Sequence, residues 1–88
     1  MKAKNFTSRN GNKVPNQFII DCDDKIIFQS YNSIIAIKYK EGKTELDATF
    51  WDYSRTTGKY RNQFLCENKK ETEKKIASGE YVLTNLNY

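Results

Sequence analysis

The apolar positions of this 88-residue chain change their period once. Up to about residue 46 they alternate or run in short blocks rich in Ile, Phe and Tyr, and from residue 54 onward they return every three to four residues. Side chains alternate across a strand with period two and line one face of a helix with a period near 3.6, so the switch separates a strand-forming half from a helix-forming half. Strands first and helices afterwards point to an α+β architecture. A doubly wound parallel sheet would need helices interleaved between the strands.

Within the first half, residues 17–21 (QFIID), 25–30 (KIIFQS) and 33–40 (SIIAIKYK) have strand chemistry and are separated by Cys22-Asp23-Asp24 and by Tyr31-Asn32, both turn-forming. In the third run Ile35, Ile37 and Tyr39 share one side while Ile34, Ala36 and Lys38 share the other, predicting one apolar and one mixed face. Glu41-Gly42-Lys43 turns the chain into a short strand at 44–46. Upstream, residues 5–9 form a further strand ahead of the hairpin dipeptide Asn10-Gly11, and Pro15 delays the return, so 10–16 reads as a loop.

The second half predicts two helices. Between Ser54 and Cys66, the residues Thr57, Tyr60, Phe64 and, less centrally, Arg61 and Leu65 fall on one side of a helical wheel, with Lys59 and Asn62 opposite. Asp52, Ser54, Thr56 and Thr57 can each cap the start, and Gly58 is an unfavourable interior residue. Asn68 followed by Glu71 reads as a capping box and Gly79 as a terminator, giving a second helix over 69–78. Its apolar anchors are Ile76 and Ala77, so Tyr81, Val82, Leu83 and Leu86 must pack for it to stay. The expected fold is a single domain over 1–88: an antiparallel meander sheet of three to five strands backed by two C-terminal helices, with residues 1–4 as a flexible basic arm.

Composition narrows the chemistry. Histidine is absent, which removes the commonest general base, the commonest metal ligand and histidine-dependent triads. Cys22 and Cys66 stand far apart without a CxxC pattern, so they read as two reduced, partly buried thiols rather than zinc ligands or a disulfide framework. Asp21, Asp23 and Asp24 lack the glycine and distal glutamate of a calcium loop and read as a solvated turn. Phosphate-binding glycine patterns are absent. No metal, cofactor or catalytic residue is expected, and no apolar run approaches membrane-spanning length, so a cytoplasmic location is expected.

The net charge of +4 is segmented: residues 1–14 carry +4, 15–24 carry −3, 25–44 carry +3, 45–53 carry −3, 54–65 carry +3, and 66–88 balance. Only the fold decides whether the positive segments meet on one face, as a nucleic-acid surface requires. The densest candidate stretch is 50–63, which mixes aromatic rings, cations, amides and hydroxyls suited to a protein hot spot or to nucleic acid. Trp51 and Phe50 read as core. The partner-binding candidates are Tyr53, Arg55, Lys59, Arg61 and Asn62, assisted by the N-terminal cations Lys2, Lys4, Arg9 and Lys13.

The strings NQFII at 16–20, FQSYNSIIA at 28–36, FWDYSRTTGKYRNQFL at 50–65 and SGEY at 78–81 resemble a group of small proteins of unknown function from phages, prophages and plasmids of low-GC Gram-positive bacteria. The similarity covers residues 5–87 and transfers no catalytic residue. It implies a mobile-element setting, in which small proteins often clamp onto host or competitor defence machinery, CRISPR effectors included. The resulting expectation is a non-enzymatic accessory protein that binds a host or competitor protein, an inhibitor of host defence being one such role. The alternative is a sequence-tolerant binder of RNA or single-stranded DNA using the same patch.

Overall fold

A computed structural model describes residues 2–8 and 10–87. One six-stranded sheet runs in chain order through β1 (Lys2–Thr7), β2 (Lys13–Asp21), β3 (Lys25–Ser30), β4 (Ser33–Tyr39), β5 (Thr44–Asp47) and β6 (Tyr81–Thr84). Helices α1 (Arg55–Leu65) and α2 (Lys69–Ser78) lie between β5 and β6 in the chain. The first five strands form the antiparallel meander, and the helices then return the chain so that β6 joins β5 in parallel. The expected α+β arrangement holds, with one strand more than the range read from the sequence.

Two strand assignments change. Lys2 and Lys4 pair with Asp21 and Ile19 inside β1, so they are strand residues and not a flexible arm. The loop expected over 10–16 is shorter, because β2 already begins at Lys13. Pro15 is tolerated there since the ladder is interrupted between Asn5 and Thr7, where Asn16 takes a φ of 66° and the Asn5 amide donates to Val14 O at 2.9 Å.

The faces of β4 also differ from the simple alternation. Phe28 pairs with Ala36 while Gln29 pairs with Ile34, leaving Ile35 as an extra, bulged residue. Ala36 therefore joins the row Ile19, Phe28, Ala36, Leu46 on the helix-covered face, and Ile35 reaches the same core. Ile37 falls in the row with Ala3, Ile20 and Ile27, outside that core. The core is aromatic: Phe28 lies 5.3 Å from Phe6 and 5.7 Å from Phe64, and Phe6 lies 5.3 Å from Tyr60. Burying each such ring stabilises the fold by about 2 kcal/mol.

Helix α1 forms because its polar ends are satisfied locally. Ser54 is the N-cap, accepting from Thr57 N at 3.1 Å, and at the other end Lys38 Nζ donates to Phe64 O at 2.7 Å. Helix α2 carries the expected capping box and ends at Gly79, whose φ of 84° suits glycine. Its attachment is largely polar: the half-buried Glu67 accepts from Lys75 Nζ at 2.7 Å, Tyr81 OH at 2.9 Å and Thr72 Oγ1 at 2.6 Å. Of the tail residues expected to pack, Tyr81 is buried and Leu86 half-buried, while Val82 and Leu83 stay exposed on the edge strand.

The C-terminal segment closes the defect left by the bulge. Asn87 accepts from Ile34 N at 2.7 Å and donates to Ile34 O at 2.9 Å, and the buried Asp47 carboxylate accepts from Leu86 N at 2.8 Å. Among the described residues, no helix is long and apolar enough to cross a membrane.

Candidate functional site

The segment Thr49–Ser54 turns the chain from β5 into α1 and fixes the site. Asp47 accepts from Thr49 N at 3.0 Å and Phe50 N at 2.8 Å, while Trp51 N donates to Asp47 O at 3.0 Å. Burial pushes the Asp47 carboxyl up, but the bonds from Leu86, Phe50, Asn87 and Thr49 outweigh it and hold the group below the ordinary aspartate value. This rigid turn leaves Ser54 at the N-cap and starts α1 with Arg55 facing solvent.

Around the outer side of α1, the expected candidates separate into two kinds. Arg55 and Lys59 are exposed, and among the described residues neither has an acidic partner within ion-pair distance. Tyr53 is also exposed, its ring edge-on to Phe50 at 5.5 Å. Arg61 is not a surface residue. It is 1% exposed, donating from Nη1 to Trp51 O at 2.8 Å and Asp52 Oδ1 at 3.1 Å and from Nη2 to Asn62 Oδ1 at 3.0 Å, with its guanidinium 5.2 Å from the Trp51 ring centre. The physical reason is its place on the buried flank of the helix beside Leu65, where a planar fork finds a carbonyl, a carboxylate and an aromatic face at once. Asn62, half-buried, is tied to this fork and reaches solvent only in part.

Asp52 joins the buried fork to the surface. Its Oδ2 accepts from Lys69 Nζ at 2.7 Å at the start of α2, so both oxygens serve cations. Burial raises its pKa, and the Lys69 and Arg61 bonds more than reverse that, leaving the carboxyl below its ordinary value. One carboxylate, Asp52, faces two cations, Lys69 and Arg61, so that cluster keeps a net positive charge, to which the unpaired Arg55 and Lys59 add.

The N-terminal cations divide as well. Lys2 and Lys4 border a groove of about 690 Å³ whose apolar wall includes Phe6, Ile19, Ile26 and Phe64. Gln63 lines both this groove and the shallow hollow that holds Arg55 and Lys59, so positive segments far apart in the chain come to adjoining surface. Lys13 is exposed at the start of β2 and lines neither hollow. Arg9 lies outside the described residues. Cys22 is half-buried and Cys66 exposed, both free; Cys66 is the left-handed C-cap of α1, and its exposure departs from the partly buried thiol expected there.

Sequence reasoning missed Tyr31. It occupies the two-residue turn between β3 and β4 with a φ of 55°, is 52% exposed, and shares a hollow with Tyr53. A signal was present: left-handed turn positions favour Gly or Asn, and here a bulky aromatic occupies one.

The model of a family of unknown function, DUF8033, matches residues 1–80. No curated protein and no solved structure matches the chain.

Proposed function

Because the chain belongs to the family of unknown function DUF8033, we propose its role from its own surface: a non-enzymatic accessory protein that docks the outer face of α1 onto a macromolecular partner. The partner in this reading is a protein of a bacterial host or competitor, and the setting is the cytoplasm of a cell carrying a phage or other mobile element. Inhibition of host defence is the role such docking would serve. The observation that supports it is the pair Arg55 and Lys59, exposed on α1 and without acidic partners among the described residues, with the exposed Tyr53 two residues ahead of Arg55 in the chain. Cations steer an encounter and an exposed ring anchors it, the combination found at protein hot spots.

A pull-down from host lysate with and without nuclease tests the reading. Nuclease-resistant capture of a defined protein is the expected result, and the double substitution Arg55→Glu and Lys59→Glu abolishes it while the melting temperature stays within about 2 °C, as befits exposed positions. A large fall in melting temperature would assign the pair to the fold instead.

A second reading, binding of RNA or single-stranded DNA, draws support from the meeting of Lys2 and Lys4 with Arg55 and Lys59 across Gln63. It predicts affinity for an unstructured oligonucleotide that drops steeply with salt, and a flat salt response in a polarisation assay removes it.

A further inference from the structure

The sheet is wider than the two helices that cover it. Helix α1 packs on β3 and β4 and α2 on β6, so the helix layer stops short of β1 and β2. Strands lie about 4.8 Å apart, which sets the midline of β1 and β2 about 10 Å from that of β3 and β4 under α1, the ordinary spacing of two packed helices. At that place the groove of about 690 Å³ has a floor of Phe6, Ile19, Ile26 and Phe64. Lys2, Lys4 and Lys38 surround it, and among the described residues none of the three has a carboxylate within ion-pair distance. Lys38 donates to Phe64 O, a neutral acceptor that leaves its charge uncancelled. Asp21, the one carboxylate among the described lining residues, lies 3.5 Å from Lys40 outside the groove.

We infer that this groove receives an amphipathic helix of a protein partner, laid along β1 and β2 with its apolar stripe inward and carboxylates on its flanks. The inference rests on the protein-docking reading above and adds a second contact beside the outer face of α1. The length fits: the six residues of β1 span about 17 Å, three turns of helix. An apolar floor ringed by uncancelled cations complements a ligand that is apolar on one side and anionic at its margins. A second copy of this chain does not supply one, since α1 carries three cations and no carboxylate, and α2 four lysines against two glutamates. A small anionic amphiphile would stay largely in water, because Lys2, Ala3, Lys4 and Cys66 are all exposed and leave the groove open. Nucleobases find no free ring to stack on: Phe6 and Phe64 are 6% and 5% exposed and already packed on Phe28.

The test titrates the isotope-labelled full chain, followed by NMR, with stapled helical peptides of about four turns. One carries a leucine stripe flanked by glutamates, a second replaces the leucines by alanine, and a third replaces the glutamates by lysine; dodecanoate and an oligouridine complete the set. The leucine–glutamate helix is expected to shift the amides of residues 2–4, 19–21 and 63–66 and to bind at least about tenfold more tightly than either altered helix. Lys2→Glu with Lys4→Glu reverses the preference toward the lysine-flanked helix, a readout that a loss of stability would not produce. Lys70→Glu with Lys74→Glu, an equal change of charge at exposed positions of α2, leaves the preference as it was. Equal binding of the glutamate- and lysine-flanked helices overturns the inference. Equal binding of the leucine and alanine helices also overturns it and leaves charge-driven docking on α1 standing. Groove shifts with dodecanoate and none with the peptides replace the helix by a small amphiphile and overturn it. Binding of the oligouridine alone overturns the inference together with the protein-docking reading, and silence of the groove's amides toward every probe overturns the inference.

Discussion

Arg61 shows how much one side chain's environment can reverse the reading of its type. Its charge is carried into the interior because three acceptors converge on it and the Trp51 ring covers it, although Nε is left without a partner. Removing one member of a buried pair leaves the others poorly compensated. Arg61→Ala is therefore expected to lower stability by about 3 kcal/mol, toward the low end for buried pairs because Asp52 retains Lys69. Arg61→Met, which keeps the aliphatic stem, should cost less. Urea denaturation measures both, and a loss below about 1 kcal/mol for the alanine variant would show that the fork does not hold the turn. The sequence contained half of this: the helical wheel sets Arg61 beside the apolar stripe, yet its charge invites a surface assignment. What decides the matter is Trp51 O and Asp52, ten and nine residues upstream, which no helical spacing relates to position 61.

At the level of the element, α1 and α2 were the most legible parts of the chain. The caps of α2 are local, Asn68 with Glu71 and Gly79 each acting within a turn of the helix end, so spacing alone identifies them, whereas four residues could have capped α1 and the structure selects Ser54 with Thr57. Gly58 is a weakness in α1 that the tertiary structure does not require. A Cβ there would lie 3.6 Å from Arg61 Nη2, ordinary contact, and the backbone is helical. Gly58→Ala should stabilise the protein by up to about 1 kcal/mol, raising the melting temperature by roughly 4–8 °C for a domain of this size. Circular dichroism reads this directly, and a decrease would mean that the guanidinium cannot tolerate the added methyl group. The strands were legible in number up to five and in their turns, but not in their faces. A one-residue bulge exchanges the two sides of β4 beyond it, and alternation cannot announce where a bulge falls.

Across the whole molecule, stability is tied to three carboxylates in different places: Asp47 at the foot of the site turn, Asp52 between the helices, and Glu67 under α2. In Glu67, as in the two aspartates, burial raises the pKa and the surrounding donors, here Lys75, Thr72 and Tyr81, lower it further than burial raises it. A folded-state value below the unfolded one contributes stability that is full above about pH 4–5 and is lost as pH falls through the lower value. At the alkaline end the sign is opposite: burial and the bond to Glu67 raise Tyr81 to about 12, so its contribution is intact below its ordinary value of 10.0 and fades as pH rises toward 12. The melting temperature should hold a plateau from about pH 5 to 9 and fall on both sides, with Glu67→Gln shallowing the acid limb and Tyr81→Phe the alkaline one. Scans of the two variants and the parent across this range check the assignment; limbs unchanged in both would detach the cluster from the global transition.

The amino-acid order alone determined the class of fold, the division into strands and helices, the caps of α2 and the outward aim of Arg55 and Lys59, because each depends on residues a few positions apart. Only the tertiary structure decided that β6 closes the sheet in parallel, that Asn87 mends the backbone at Ile34, that Arg61 is interior, and that Tyr31 meets Tyr53. Those outcomes join residues from nine to more than fifty positions apart. They are settled by competition among many partners for the same surfaces and hydrogen bonds, once the entropy of closing the intervening chain has been overcome.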